Sequence, residues 1–134
     1  MRALLVANTF ATTTDGSIQS QVVSELSKFL DITVANTSAR NDAIEFAKGA
    51  QQQGFEIVIG LGGDGTINEI ANGLLANGPN PQGPMLAAIP GGNGNVFARN
   101  MGLSESPLQA TAQILSSLDA NRFKSIGVGK IATN

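Results

Sequence analysis

The sequence contains no cysteine, histidine, tryptophan or tyrosine. Without cysteine there are no disulfides, thiolate nucleophiles or Cys-based zinc sites. Without histidine, the Ser-His-Asp and Cys-His mechanisms and most transition-metal sites fall away. Phenylalanine is the one aromatic left to stack on a base. Charged residues make up 13% of the 134 positions, well short of the usual quarter, so self-repulsion gives no route to disorder. A formal net charge of −2 argues against a nucleic-acid binder, which needs a basic face. No apolar run approaches the ~20 residues of a membrane span. The chain opens on strand-like Ala3–Ala7 without signal-peptide architecture. A cytosolic protein is the expectation.

The apolar residues alternate between two periods. Ala3–Ala7, Ile32–Ala35, Phe55–Leu61 and Met85–Ile89 are short, nearly continuous runs, read as buried strands. Between them, Ile18, Val22, Leu26, Phe29 and Leu30 recur at helical spacing, and Ala43, Ile44, Ala47 and Ala50 form a weaker stripe stopped at Gly54. Ile67, Ile70, Ala71, Leu74 and Leu75 give the strongest helix signal. A short helix is predicted around Val96–Met101. A last one opens at Ser106-Pro107 and carries Leu108, Ala112, Leu115 and Leu118. This pattern predicts an α/β fold: an open, doubly wound, mostly parallel sheet in the order 2-1-3-4 with helices on both faces. Ligands of such sheets bind at the carboxyl ends of the strands, beside the switch between strands one and three. Ser125–Ile131 alternates with period two and reads as a strand opening another unit.

Two glycine-rich loops fall at those strand ends. The first, Gly60-Leu61-Gly62-Gly63-Asp64-Gly65-Thr66-Ile67-Asn68-Glu69, joins strand three to the strongest helix. Its glycines let backbone approach a ligand, and the helix start offers N–H donors and roughly half a positive charge to an anion. Thr66 and Glu69 fit a capping box as well as they fit ligand contact. Asp64, between Gly63 and Gly65, would repel bound phosphates unless a cation intervened, so Mg²⁺ at Asp64 is the economical reading. Gly60-x-Gly62-x-x-Gly65 formally meets the dinucleotide fingerprint. It follows the third strand, however, and Met85–Pro90 lacks the acid expected ~20 residues later. No Walker A lysine is present. The second loop, Pro90-Gly91-Gly92-Asn93-Gly94-Asn95, forms another nest of donors, with Asn95 equally a helix cap and Arg99 a phosphate contact or a solvated charge. Asn8–Gly16 is rich in hydroxyls, Thr12 among them, which suit phosphate or turns equally. Two adjacent nests imply a polyanionic ligand.

Gly62-Gly63-Asp64-Gly65-Thr66 with Asn68-Glu69, and Ile89–Arg99 behind it, resembles the signature of the diacylglycerol kinase catalytic-domain family. A Gly-Gly-Asp-Gly core also occurs in NAD kinases and phosphofructokinases. The resemblance implies an ATP- and Mg²⁺-dependent lipid kinase. Residues 1–124 would form the nucleotide-binding domain and 125–134 the start of a truncated, β-rich second domain carrying the lipid-acceptor site and the catalytic base. Carried over residue by residue, Asn8 and Thr37 match polar nucleotide contacts, and Gly62–Asn68 match the phosphate loop with Asp64 near the metal. Gly92 and Asn93 match the second loop. Thr9 stands where the family often has proline, and Asn93 and Val96 replace a Thr and an Asp of its second loop. The implied reaction passes the γ-phosphoryl of ATP to a lipid hydroxyl, that of diacylglycerol first, with the lipid-handling portion approaching the cytosolic membrane face. An NAD or sugar-phosphate kinase and a non-catalytic nucleotide-responsive module are the alternatives.

Overall fold

Three of the four apolar runs become strands buried on both faces, whereas 32–35, also expected to be buried, lies in a half-exposed strand at the sheet edge. The alternation of side chains sorts the core into two layers. In the computed structural model the described residues are 1–8, 16–76, 78, 82–91, 102–104, 106–120, 123–126 and 129–132. Strands β1 (Arg2–Asn8), β2 (Asp31–Thr37), β3 (Ile57–Gly62) and β4 (Met85–Pro90) lie parallel in the order β2-β1-β3-β4. That is the predicted order. Two further strands extend the same sheet. β6 (Gly129–Ala132) runs parallel to β4, and β5 (Phe123–Ile126) pairs antiparallel with β6 at the edge. Residues 125–131, expected as one strand, are thus divided between two.

Successive side chains of a strand point to opposite faces. On one face Ala3, Leu5, Ala7, Ile57, Ile59, Leu61, Ala87 and Ile89 meet Val22 and Leu26 of α1 (Gly16–Ser27). Ala110 and Ile114 of α4 (Pro107–Asp119) complete that layer. On the other face Leu4, Val6, Val58, Leu86 and Ala88 meet Ala43 and Ala47 of α2 (Asp42–Lys48) and Ile67 and Ile70 of α3 (Asp64–Leu74). Among the described residues, two helices cover each face, the doubly wound arrangement. Each buried Leu or Ile contributes about 1.5–3 kcal/mol relative to exposure.

Helices α2 and α3 touch through Gly73, where an added Cβ would run into the Ile44 carbonyl and lie 2.7 Å from the Ala47 Cβ. No larger side chain fits there without parting the helices.

The sequence reading departs from the structure in five places. Phe29 lies past the end of α1 and is 71% exposed, because Lys28 and Phe29 form the turn into β2. Helix α2 stops at Lys48, and Gly54 instead takes a positive φ of 84° in the turn before β3. On α4 the innermost stripe is Ala110, Thr111, Ile114 and Ser117, so Leu108, Leu115 and Leu118 lie at its margin. The other two departures are the divided strand and the half-exposed edge strand described above. The helix predicted at Val96–Met101 lies outside the described residues, and no described helix is long and apolar enough to cross a membrane.

Candidate nucleotide site

Parallel register brings four strand ends together. Asn8 and Thr37 are partners at the last positions of β1 and β2, and Gly62 ends β3 beside Pro90 of β4. These ends lie on the carboxyl edge of the sheet, which is where α/β sheets place their ligands.

The β3–α3 junction is built around one contact. Asn8 Nδ2 donates to Thr66 Oγ1 across 3.2 Å, strapping β1 to the first turn of α3. Gly62 makes room for that strap: a Cβ there would stand 2.7 Å from Thr66 Oγ1 and 3.2 Å from the Asn8 Cβ. Helix α3 starts at Asp64, with Gly63 in extended conformation (φ −89°, ψ −170°) at the N-cap. This corrects the capping-box reading. Thr66 already lies inside the first turn, 7% exposed, and its hydroxyl faces Asn8 instead of capping its own helix. A glycine cap has no side chain to close the donors of the helix start. Two positions on, Gly65 is exposed, and among the described residues a Cβ there would meet nothing within 4 Å. The two glycines therefore differ in kind: space at Gly62 is filled by the protein, and space at Gly65 is left open.

A cavity of about 200 Å³ lies against this junction, lined by Asn8, Thr37, Ala39, Arg40, Ala43, Thr66 and Glu69. It is smaller than the ~300–1,000 Å³ of a whole small-molecule site. Thr37 Oγ1 donates to the Ala7 carbonyl at 3.4 Å, which fixes its side chain at the strand end. Thr66 and Glu69 reach the cavity one helical turn apart, whereas exposed Asn68 is not part of its lining. Asp64 is half-buried at the first position of α3 and also stands outside the lining.

No cluster of three or more metal-ligating side chains occurs among the described residues. A single carboxylate suits Mg²⁺, which takes one or two carboxylates and completes its shell with phosphate oxygens and water. The donor set fits that ion better than a protein-caged metal.

The second loop leaves from the same place. Gly91 N donates to the Gly62 carbonyl at 2.9 Å, tying the exit of β4 to the first glycine loop. Gly92, Asn93, Asn95 and Arg99 lie outside the described residues, as does Thr12.

Arg40 is the residue that sequence reasoning missed. Among the described Lys and Arg side chains, Arg2, Lys28 and Lys48 have partners, and exposed Arg40 stands at the cavity. The signal was topological: in a parallel sheet the turn after strand two shares an edge with the turns after strands one and three.

A second cavity, of about 590 Å³, lies at the opposite end of the sheet, where Met1, Phe29, Leu30, Leu115 and Leu118 meet. Its lining is mainly apolar, with Glu25, Ser116 and Asp119 as its polar members.

The diacylglycerol kinase catalytic domain, as a sequence family, matches residues 2–130. The diacylglycerol kinase of Bacillus subtilis (strain 168) is 40% identical over 83 residues, 61% of this chain and 26% of that protein. The diacylglycerol kinase of Staphylococcus carnosus (strain TM300) is 37% identical over 79 residues, 59% of this chain and 25% of that protein. A crystal structure of a diacylglycerol kinase from Bacillus anthracis str. Sterne superposes with a TM-score of 0.78 at 27% identity. That overlay covers 93% of this chain and 44% of the other. The aligned stretch thus spans about a quarter of the length of these two curated relatives.

Proposed function

The chain belongs to the diacylglycerol kinase catalytic domain family, and from that premise we propose that the β3–α3 junction and its cavity hold ATP for transfer of the γ-phosphoryl to a lipid hydroxyl, diacylglycerol being the first acceptor to test. The observation that carries this reading is the open space over Gly65 at a helix start without a capping side chain. Backbone N–H groups and the dipole at such a start attract phosphate, and a glycine lets phosphate come close.

The residues divide the work. The backbone from Gly62 to Gly65 cradles the phosphates, and Asn8 and Thr66 keep that backbone in place through their mutual bond. Arg40 supplies a fixed cation at the cavity, and Glu69 accepts hydroxyl or amino hydrogens of the nucleoside. Asp64 is the residue that would hold Mg²⁺, which when bound offsets charge on the transferring phosphates. Phosphoryl transfer rests mainly on positioning and charge neutralisation: the acceptor oxygen bonds to the γ-phosphorus, the bond to the bridging oxygen breaks, and ADP leaves. The base that takes the acceptor's proton, and the lipid site itself, we assign to the portion present in the longer relatives.

The test is Asp64→Ala in the complete protein with radiolabelled ATP. Lipid phosphorylation should fall by two orders of magnitude or more, the size of loss typical when charge stabilisation is removed. A nucleotide-responsive module without chemistry would keep its ATP response in that variant. Offering diacylglycerol, NAD and a sugar phosphate in parallel identifies the acceptor, and labelling of either of the latter two in preference to lipid refutes the lipid assignment.

A further inference from the structure

The turn that carries Arg40 is organised by one carboxylate. Asp42 Oδ2 accepts from Ser38 N at 2.8 Å, Ala39 N at 2.9 Å and Ser38 Oγ at 3.1 Å. An acid in the first turn of a helix ordinarily serves its own helix, by facing the dipole or accepting from N–H groups ahead of it. Asp42 reaches backwards instead, three and four residues, to the chain that precedes α2. Asn41 at the cap of α2 makes no side-chain bond to the helix and sits at a φ of 74°, a left-handed conformation that asparagine tolerates better than most residues. Between clamp and cap lies Arg40. The segment therefore turns Thr37, Ala39, Arg40 and Ala43 to the cavity and ties Ser38 to Asp42.

We infer that Asp42 is a positioning residue for the nucleotide: by clamping Ser38 and Ala39 it fixes the turn that holds Arg40 at the cavity wall, against the wall formed by Thr66 and Glu69 of α3. This rests on the nucleotide reading above. A long arginine on an unclamped turn would lose its fixed position, and the freedom frozen on binding would weaken the complex. Asp42 itself does not line the cavity, so its influence passes through Arg40.

The experiment is calorimetric titration of ATP with Mg²⁺ into the chain and its variants, with thermal unfolding alongside. Arg40→Ala should weaken ATP about tenfold, as expected on losing one charge-assisted contact. Asp42→Ala should weaken it about fivefold, and the double variant should bind no worse than Arg40→Ala alone, because residues acting through one contact are non-additive. Should Asp42→Ala fail to fold, Asp42→Asn keeps a neutral acceptor and carries the same test, with a loss of about twofold that vanishes in the Arg40→Ala background. A clamp that served stability alone would lower the melting temperature and leave ATP affinity where it was. Unchanged affinity in the folded single variants, or losses that add in full, overturn the positioning role while leaving the site standing. Absence of ATP binding by the unaltered chain overturns the site and this inference together.

Discussion

Helices α3 and α4 begin in opposite ways. At α4 the chain closes its own start. Ser106 Oγ accepts from Gln109 N at 3.4 Å, and Pro107 occupies a position where no N–H is needed. Upstream, Ser104 is stitched to Gln113 and Gln109 at 2.7 and 2.8 Å. At α3 the cap is a glycine, a second glycine follows two residues later, and the nearest hydroxyl, Thr66, is engaged with Asn8. One start is finished by its own side chains. The other forgoes that stability, since a glycine within a helix costs about 0.5–1 kcal/mol relative to alanine. The contrast separates a helix start closed by its own side chains from one that the proposed function uses for a ligand.

Gly65→Ala tests that separation most severely. The position is helical and its methyl would meet nothing within 4 Å among the described residues, so stability should rise by about 0.5–1 kcal/mol. In the proposed site the same methyl would stand where phosphate approaches, so ATP affinity should fall by about tenfold, equivalent to roughly 1.4 kcal/mol. Thermal unfolding and ATP titration of one sample read both signs, and unchanged affinity would break the comparison. Ser106→Ala is the converse. It should lower stability by about 0.5–1 kcal/mol and leave ATP affinity within about twofold, and any larger loss of binding would show that α4 is not purely structural.

The smallest effect belongs to a third helix start, that of α2. Backbone N–H groups of Ser38, then of Ala39, hold the Asp42 carboxyl below its ordinary 3.8. A depressed carboxylate stabilises the fold above its unfolded-state pKa, and that contribution disappears as pH falls through the lower folded value. Acid unfolding below pH 3.8 should therefore include a component that Asp42→Asn lacks. Coincident acid transitions for the two proteins would remove the clamp from the stability account.

Much of the fold was legible because burial on both faces leaves strands no choice of residue. Val58 and Ile59 must both be apolar, for they face different core layers. Helix edges were less legible. Phe29 kept the period of α1 yet fell in the turn beyond it. The α4 reading followed the leucines, while packing selected smaller Ala110, Thr111 and Ser117 for closest approach to the sheet. At the site, the glycine loop was readable as a pattern, whereas Asn8 and Thr37 were singled out through the family resemblance. The direction of the Thr66 hydroxyl was not. A Thr-x-x-Glu spacing looks alike whether the helix begins at Thr66 or two residues earlier, and a glycine cap leaves no side-chain signature to decide. Arg40 escaped because an isolated cation in a polar turn resembles any solvated charge until the sheet order brings that turn to the cavity.

Gly73 lies two turns along α3 from Thr66 and takes no part in the lining of the cavity, yet it sets how closely α2 and α3 approach. Those two helices carry the cavity's opposing sides, one through Glu69 and the other through Ala43 and the turn before it. Any bulk at Gly73 would act as a wedge driven between two jaws, widening the gape at their far end. If the cavity holds a nucleotide as proposed, that grip would be loosened from a distance by one methyl group, with every contacting residue unchanged.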